Sequence, residues 1–177
     1  MSIIVDKEKL KQYLYSVVSD YKIFIDSCSL MFTEAEAFWD NIIPILKKKQ
    51  KTVIVPLRVY EEVSKFAKNP NLCDKKGDCN LHSKAVAAKK KIVGLQSEGL
   101  VEVFGDDDDF FADNVLQVVF TKFRMKYNLL LITQDLKLSQ DIIDIGKSLS
   151  VKAKRLRVAR INESGFLREY YETSDGK

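Results

Sequence analysis

Four consecutive apolar residues, Leu129 to Ile132, stand in the stretch YNLLLITQDLK at 127–137 with no turn former among them. A strand with one wet face alternates apolar and polar residues. An unbroken apolar run fits a strand covered on both faces, as at the centre of a parallel sheet. The run stops abruptly at Thr133, Gln134 and Asp135, and an amphipathic segment follows. Open α/β sheets gather their binding groups at the carboxyl ends of such strands. The rest of the chain is therefore read for other groups aimed at the same edge.

Short apolar runs recur at 22–26 (KIFID), 52–55 (TVIV) and 100–104 (LVEVF), and RLRVARI at 155–161 alternates in the manner of a sheet-edge strand. Segments of helical periodicity separate them, at 6–19, 33–48, 56–68, 81–96, 110–125 and 136–148. Thr33 suits an N-cap, Pro56 suits a first helical position, and Lys47 to Lys49 suit a helix C-terminus. Ser27 to Ser29 read as a polar turn, 69–80 as a surface loop and 105–109 (GDDDD) as an acidic loop. Asn162 to Gly165 form a turn, after which FLREYY returns as a hairpin partner. This alternation predicts an α/β fold: a mostly parallel sheet of four to five strands with helices on both faces, an N-terminal helix and a C-terminal hairpin. The 177 residues read as a single domain, with its core at about 22–160.

Composition narrows the function classes. A net charge of +4 permits a polyanionic partner without requiring one. Three cysteines argue against a disulfide framework and for a reducing compartment, so a cytoplasmic location is expected. No apolar run approaches the ~20 residues of a membrane span, and MSIIVDKEKLKQYL does not read as a signal peptide. There is no Gly-rich phosphate loop, and with His82 as the one histidine no histidine pair can share acid–base work. Cys73, Cys79 and His82 stand at C-x5-C-x2-H spacing with no fourth ligand nearby, so zinc is not expected there. Cys28 reads as a small buried hydrophobe.

Four acidic positions stand out. Asp26 and Asp135 end two apolar runs that should lie on one sheet edge. In PLRVYEEVSKF, Val59, Val63 and Phe66 make a helical stripe; Glu62 borders it, while Glu61 faces outward between Arg58 and Lys65. Asp113 precedes Leu116 by three and Phe120 by seven, which puts it on the inner face of its helix, with Asp109 as the substitute. Each has a plainer use: Asp26 and Asp135 as caps, Glu62 as a surface residue, Asp113 as a charge at a helix N-terminus. Together on one edge they would repel one another without a counter-ion, and an all-oxygen set suits Mg²⁺ or Mn²⁺.

In this order and placement, Asp26 in KIFIDSCS, Glu62 in VIVPLRVYEEV, Asp113 in FADNVL and Asp135 in LLLITQDLKL, the chain resembles the PIN-domain nucleases over roughly residues 22–160. The resemblance implies an endoribonuclease that cleaves single-stranded RNA with a metal-activated water. It makes Asp26, Glu62, Asp113 and Asp135 both catalytic and metal-binding, with Mg²⁺ or Mn²⁺ as cofactor and Ser27 and Thr133 in support. It leaves open a protein partner, antitoxin-like or a larger complex, and a homodimer; no membrane is expected. The rival expectations are a catalytically silent PIN-like module that binds RNA or protein, and an aspartate-centred phosphohydrolase. The latter usually carries a second Asp two residues after the first, where this chain has Cys28. Lys84, Lys89, Lys90, Lys91, Lys122, Arg124 and Lys126 are candidates to track a nucleic-acid backbone, and Phe111 and Tyr127 to stack bases, although solvated helix faces and core packing account for them as well.

Overall fold

The computed structural model describes residues 2–71, 80–105, 112–147 and 153–170, with the backbone course alone for 2–5 and 112–115. In chain order the elements are α1 (Ser2–Asp20), β1 (Lys22–Ile25), α2 (Ser27–Leu30), α3 (Ala35–Lys49), β2 (Val53–Pro56), α4 (Leu57–Lys68), α5 (Leu81–Ser97), β3 (Val101–Phe104), α6 (Ala112–Phe123), β4 (Leu129–Ile132), α7 (Leu136–Lys147), β5 (Leu156–Ile161) and β6 (Leu167–Glu169).

The strands form one sheet in the order β3-β2-β1-β4-β5-β6, the first five parallel and β6 antiparallel to β5. The expected parallel core of up to five strands is thus present, with the C-terminal hairpin adding a sixth. The chain winds outward from β1 to β2 and β3, then returns to the other side of β1 and continues through β4 and β5. Adjacent strands β1 and β4 therefore flank the point where the winding reverses. Their connections leave the carboxyl edge in opposite directions and open a crevice there.

Two apolar layers hold the sheet. On one face Ile23, Ile25, Leu130 and Ile132 pack with residues of α1, α3, α4 and α5, including Leu14, Phe38, Ile42, Val59 and Ile92. On the other, Phe24, Leu129, Leu131 and Val158 pack with Leu116, Phe120, Leu138 and Ile142 of α6 and α7. Phe24 and Phe120 meet edge to face at 5.1 Å between centroids, an arrangement worth about 0.5–1.5 kcal/mol beyond its buried area. Burial on both faces explains why β4 carries four apolar residues in a row.

Several sequence expectations are corrected. β5 is not an edge strand: it lies between β4 and β6, and its consecutive Val158 and Ala159 are both buried because both faces are covered. Ser27 to Leu30 are a one-turn helix rather than a polar turn, too short to show any period. Thr33 lies outside α3, whose N-cap residue is Glu34, and Pro56 ends β2 one residue before α4 begins. Most of the 69–80 loop, including Cys73 and Cys79, lies outside the described residues, as does 106–111, which holds Asp109 and Phe111. Among the described residues no helix is long and apolar enough to cross a membrane.

Candidate active site

The register sets the site. Ile25 pairs with Ile132, so the next residues, Asp26 and Thr133, leave the sheet side by side at its carboxyl edge. The ladder continues one step further: the Asp26 N–H donates to the Ile132 carbonyl at 3.1 Å. Asp26 then caps α2, its Oδ1 accepting the Ser29 N–H at 2.8 Å, while Thr133 Oγ donates to its Oδ2. The same hydroxyl accepts the Asp135 N–H at 3.0 Å. Asp135 caps α7 through Oδ1, which accepts the Leu138 N–H at 3.0 Å. Both capping uses foreseen for these aspartates are therefore real, and in Asp135, which is exposed, capping occupies one carboxylate oxygen only. Thr133 is fully buried, Ser27 is buried, and the Ser29 hydroxyl is buried with no partner among the described residues.

Asp26 is buried too, and burial pushes its carboxyl up from the usual 3.8 to about 6. The bonds from Thr133 and Ser29 oppose that rise, and the charge of Asp135 adds to it. Cys28 stands two residues after Asp26. The residue is exposed, which corrects its reading as a buried hydrophobe, yet the atoms packed around its thiol desolvate it. That desolvation, followed by the charges of Asp26, Asp135 and Glu62, pushes the thiol up to about 12. Three of the four candidate acids thus act on one sulfur atom. Glu62 reaches this region from α4, which packs beside α2. It is half-buried, whereas Glu61 pairs outward with Arg58 at 2.7 Å, as the helical phase required.

The fourth acid, Asp113, lies in the first turn of α6, which returns from the same carboxyl edge; its side chain is outside the described residues. Among the described residues, no Lys or Arg forms an ion pair with Asp26, Glu62 or Asp135. Nor are any three His, Cys, Asp or Glu side chains spaced to hold one ion directly. The donor set nevertheless fits Mg²⁺ or Mn²⁺. The oxygens are hard, the buried Asp26 carboxylate has no counter-charge among the described residues, and Mg²⁺ is commonly held by one or two carboxylates with waters completing its shell.

Other sequence candidates are dispersed. Lys91 pairs with Glu36 at 2.7 Å. Arg124 is not a surface cation: it is buried, and its guanidinium donates to the Ile145 carbonyl. Tyr127 is exposed at the opposite, amino edge, with Lys22 Nζ 4.4 Å from its ring centroid. His82 Nδ1 lies 3.1 Å from the Phe66 carbonyl. Sequence reasoning passed over Arg160 and Gln134, which sit beside Thr133: Arg160 Nε donates to Gln134 Oε1 at 3.2 Å, and Gln134 Nε2 donates to the Ile161 carbonyl at 3.1 Å. The signal was there in the parity of β5, since Arg160 falls on the opposite face from Arg157. No protein-family profile and no curated protein matches the chain.

Proposed function

We propose that this protein is a metal-dependent endoribonuclease of PIN-like fold that hydrolyses single-stranded RNA at the crevice between β1 and β4. One observation carries the reading: Asp26 and Asp135 are tied through the Thr133 hydroxyl at the winding reversal of a doubly wound sheet, with no cation to balance them among the described residues. Helix capping accounts for Oδ1 of each aspartate but not for bringing the two carboxylates together, and a divalent cation would offset the repulsion between them.

Asp26 and Asp135 would hold Mg²⁺ or Mn²⁺, with Glu62 and Asp113 completing the acidic rim. The bound metal would lower the pKa of a water and neutralise charge on the phosphodiester. The protein's own groups prepare the site. Thr133 and the Ser29 N–H fix both oxygens of Asp26, so the carboxylate cannot swing away when charged. The α7 cap fixes one oxygen of Asp135, a residue that is otherwise exposed. Glu62, without a cation partner among the described residues, would accept a hydrogen bond from the attacking water. In the reaction the water oxygen bonds to phosphorus as the P–O bond to the leaving ribose oxygen breaks.

The test is cleavage of a fluorescently labelled single-stranded RNA with Mn²⁺ or Mg²⁺. Activity should vanish in EDTA, return with Mn²⁺, and fall at least 100-fold in Asp26→Asn and in Asp135→Asn. If both variants cut at the parent rate, or EDTA has no effect, the reading is wrong. If the parent binds RNA or a protein but cuts nothing, the two aspartates are helix caps in a silent binding module.

A further inference from the structure

The sheet register extends the acidic site into a basic one. Ile25 pairs with Ile132, and Ile132 with Ala159. One step further along each strand stand Asp26, Thr133 and Arg160, and Arg160 pairs in turn with Arg168 of β6. The Thr133 N–H donates to the Ala159 carbonyl at 3.1 Å, so the ladder holds to this step. Asp26, Thr133, Arg160 and Arg168 therefore form one row across four strands at the carboxyl edge. They share a face, because Phe24, Leu131 and Val158, two residues earlier on their strands, lie in one apolar layer, and Tyr170, two residues beyond Arg168 on the antiparallel strand, packs against it. At one strand spacing per step, Arg160 stands about 10 Å from Asp26.

Arg160 is half-buried and held without being neutralised. Its Nε and Nη2 donate to the side-chain and backbone oxygens of Gln134 at 3.2 and 3.3 Å, both uncharged acceptors. Among the described residues no carboxylate pairs with Arg160 or with the exposed Arg168. Arg157 makes the contrast: on the other face of β5 it pairs with Glu169 at 3.3 Å. Like charges directly opposite on neighbouring strands destabilise a sheet. Two guanidiniums so placed, one of them oriented by a neutral amide, suit a ligand that brings its own negative charges in sequence.

We propose that Arg160 and Arg168 form a phosphate ledge that holds the sugar–phosphate backbone of single-stranded RNA to one side of the scissile bond, so that the strand runs along the carboxyl edge from Asp26 toward β6. This rests on the ribonuclease reading for the identity of the ligand. Guanidiniums suit phosphates through forked N–H groups, and such contacts position a strand without reading its bases.

The test separates binding from cleavage. Binding of a fluorescein-labelled 12-nucleotide oligouridylate is measured by anisotropy in an Asp26→Asn background with EDTA, over 50–300 mM NaCl. Adding Arg160→Gln and Arg168→Gln should weaken binding about 10–100-fold at 150 mM NaCl. It should also flatten the slope of log K against log salt by about 1.4, at 0.7 per lost phosphate contact on a single strand. Arg160→Lys with Arg168→Lys should restore most of the salt slope, and Lys51→Gln, at the amino edge, should change little. Arg168→Gln alone, at an exposed position, should lose part of the affinity with a melting temperature no lower than the parent's, so misfolding cannot imitate the result. Unchanged affinity and slope in the double variant, beside a parent that cuts RNA, would overturn the ledge alone. Loss of binding beside a parent that binds but never cuts would uphold the ledge and sink the ribonuclease reading. A parent that does not bind RNA would overturn the ledge.

Discussion

Thr133 donates its hydroxyl proton to Asp26 across the seam between β1 and β4 while accepting the Asp135 N–H at 3.0 Å. One buried oxygen thus orients both aspartates. Thr133→Val keeps the shape, removes the donor from a carboxylate and leaves the Asp135 N–H without that acceptor. Urea unfolding should show a loss of about 1.5–3 kcal/mol at pH 7, and RNA cleavage should fall at least tenfold. Thr133→Ser should retain most of both. Equal stability and activity in Thr133→Val would show the hydroxyl to be incidental.

Asp26 makes folding pH-dependent in a stated direction. Its carboxyl titrates at 3.8 when unfolded and at about 6 when folded, chiefly through burial. Between those values the folded chain binds a proton that the unfolded chain does not, so stability falls as pH rises through the window and stays lower above it. At 1.36 kcal/mol per pKa unit the cost of the charged form is about 3 kcal/mol. Asp26→Asn should therefore melt higher than the parent at pH 7 without metal, and the gap should close toward pH 4. A variant less stable than the parent at pH 7 would contradict this.

Cys28 reports on the same carboxylates. With its thiol pushed up to about 12 by burial and by Asp26, Asp135 and Glu62, it should react slowly with iodoacetamide at pH 8, despite the exposure of the residue. Peptide mapping by mass spectrometry distinguishes it from Cys73 and Cys79. Mn²⁺ bound at the carboxylates would offset the repulsion and speed alkylation of Cys28. A rate equal to that of free cysteine without metal, or one that metal leaves unmoved, would count against a shared site.

The C-terminal hairpin, and with it Arg168, depends on one glycine. Gly165 has φ +71°, and a Cβ there would lie 2.5 Å from the backbone carbon of Ala37 and 2.6 Å from the Phe38 nitrogen. Gly165→Ala should cost about 2–4 kcal/mol through left-handed strain and overpacking, lowering the melting temperature by about 5–15 °C. An unchanged melting temperature would show that the turn does not seat on α3.

Where burial imposed an unmistakable pattern, the sequence was readable. Uninterrupted apolar runs in 23–25 and 129–132 required strands covered on both faces, and the residues that ended them, Asp26 and the Thr133–Asp135 cluster, fell at the shared edge. The phase of α4 separated Glu61, paired with Arg58, from Glu62. What escaped had no period to read. Four residues of α2 are one turn, so Ser27 to Ser29 looked like a polar turn and Cys28 like core. The place of β5 beside β4 depends on a pairing distant in sequence, which left Arg160 unread as the neighbour of Thr133. Arg124 follows the end of α6, where helical phase no longer tells inside from outside. Asp113 remains an expectation, since its side chain lies outside the described residues.

The most direct measurement is anomalous scattering from crystals soaked in Mn²⁺, recorded at the manganese edge. One strong peak is expected at the β1–β4 crevice, beside the carboxylates of Asp26 and Asp135, with Glu62 within reach directly or through a water, and no such peak in crystals of Asp26→Asn. Fully soaked crystals without a peak there, or with a peak that persists in Asp26→Asn, would contradict the metal-dependent nuclease at its root.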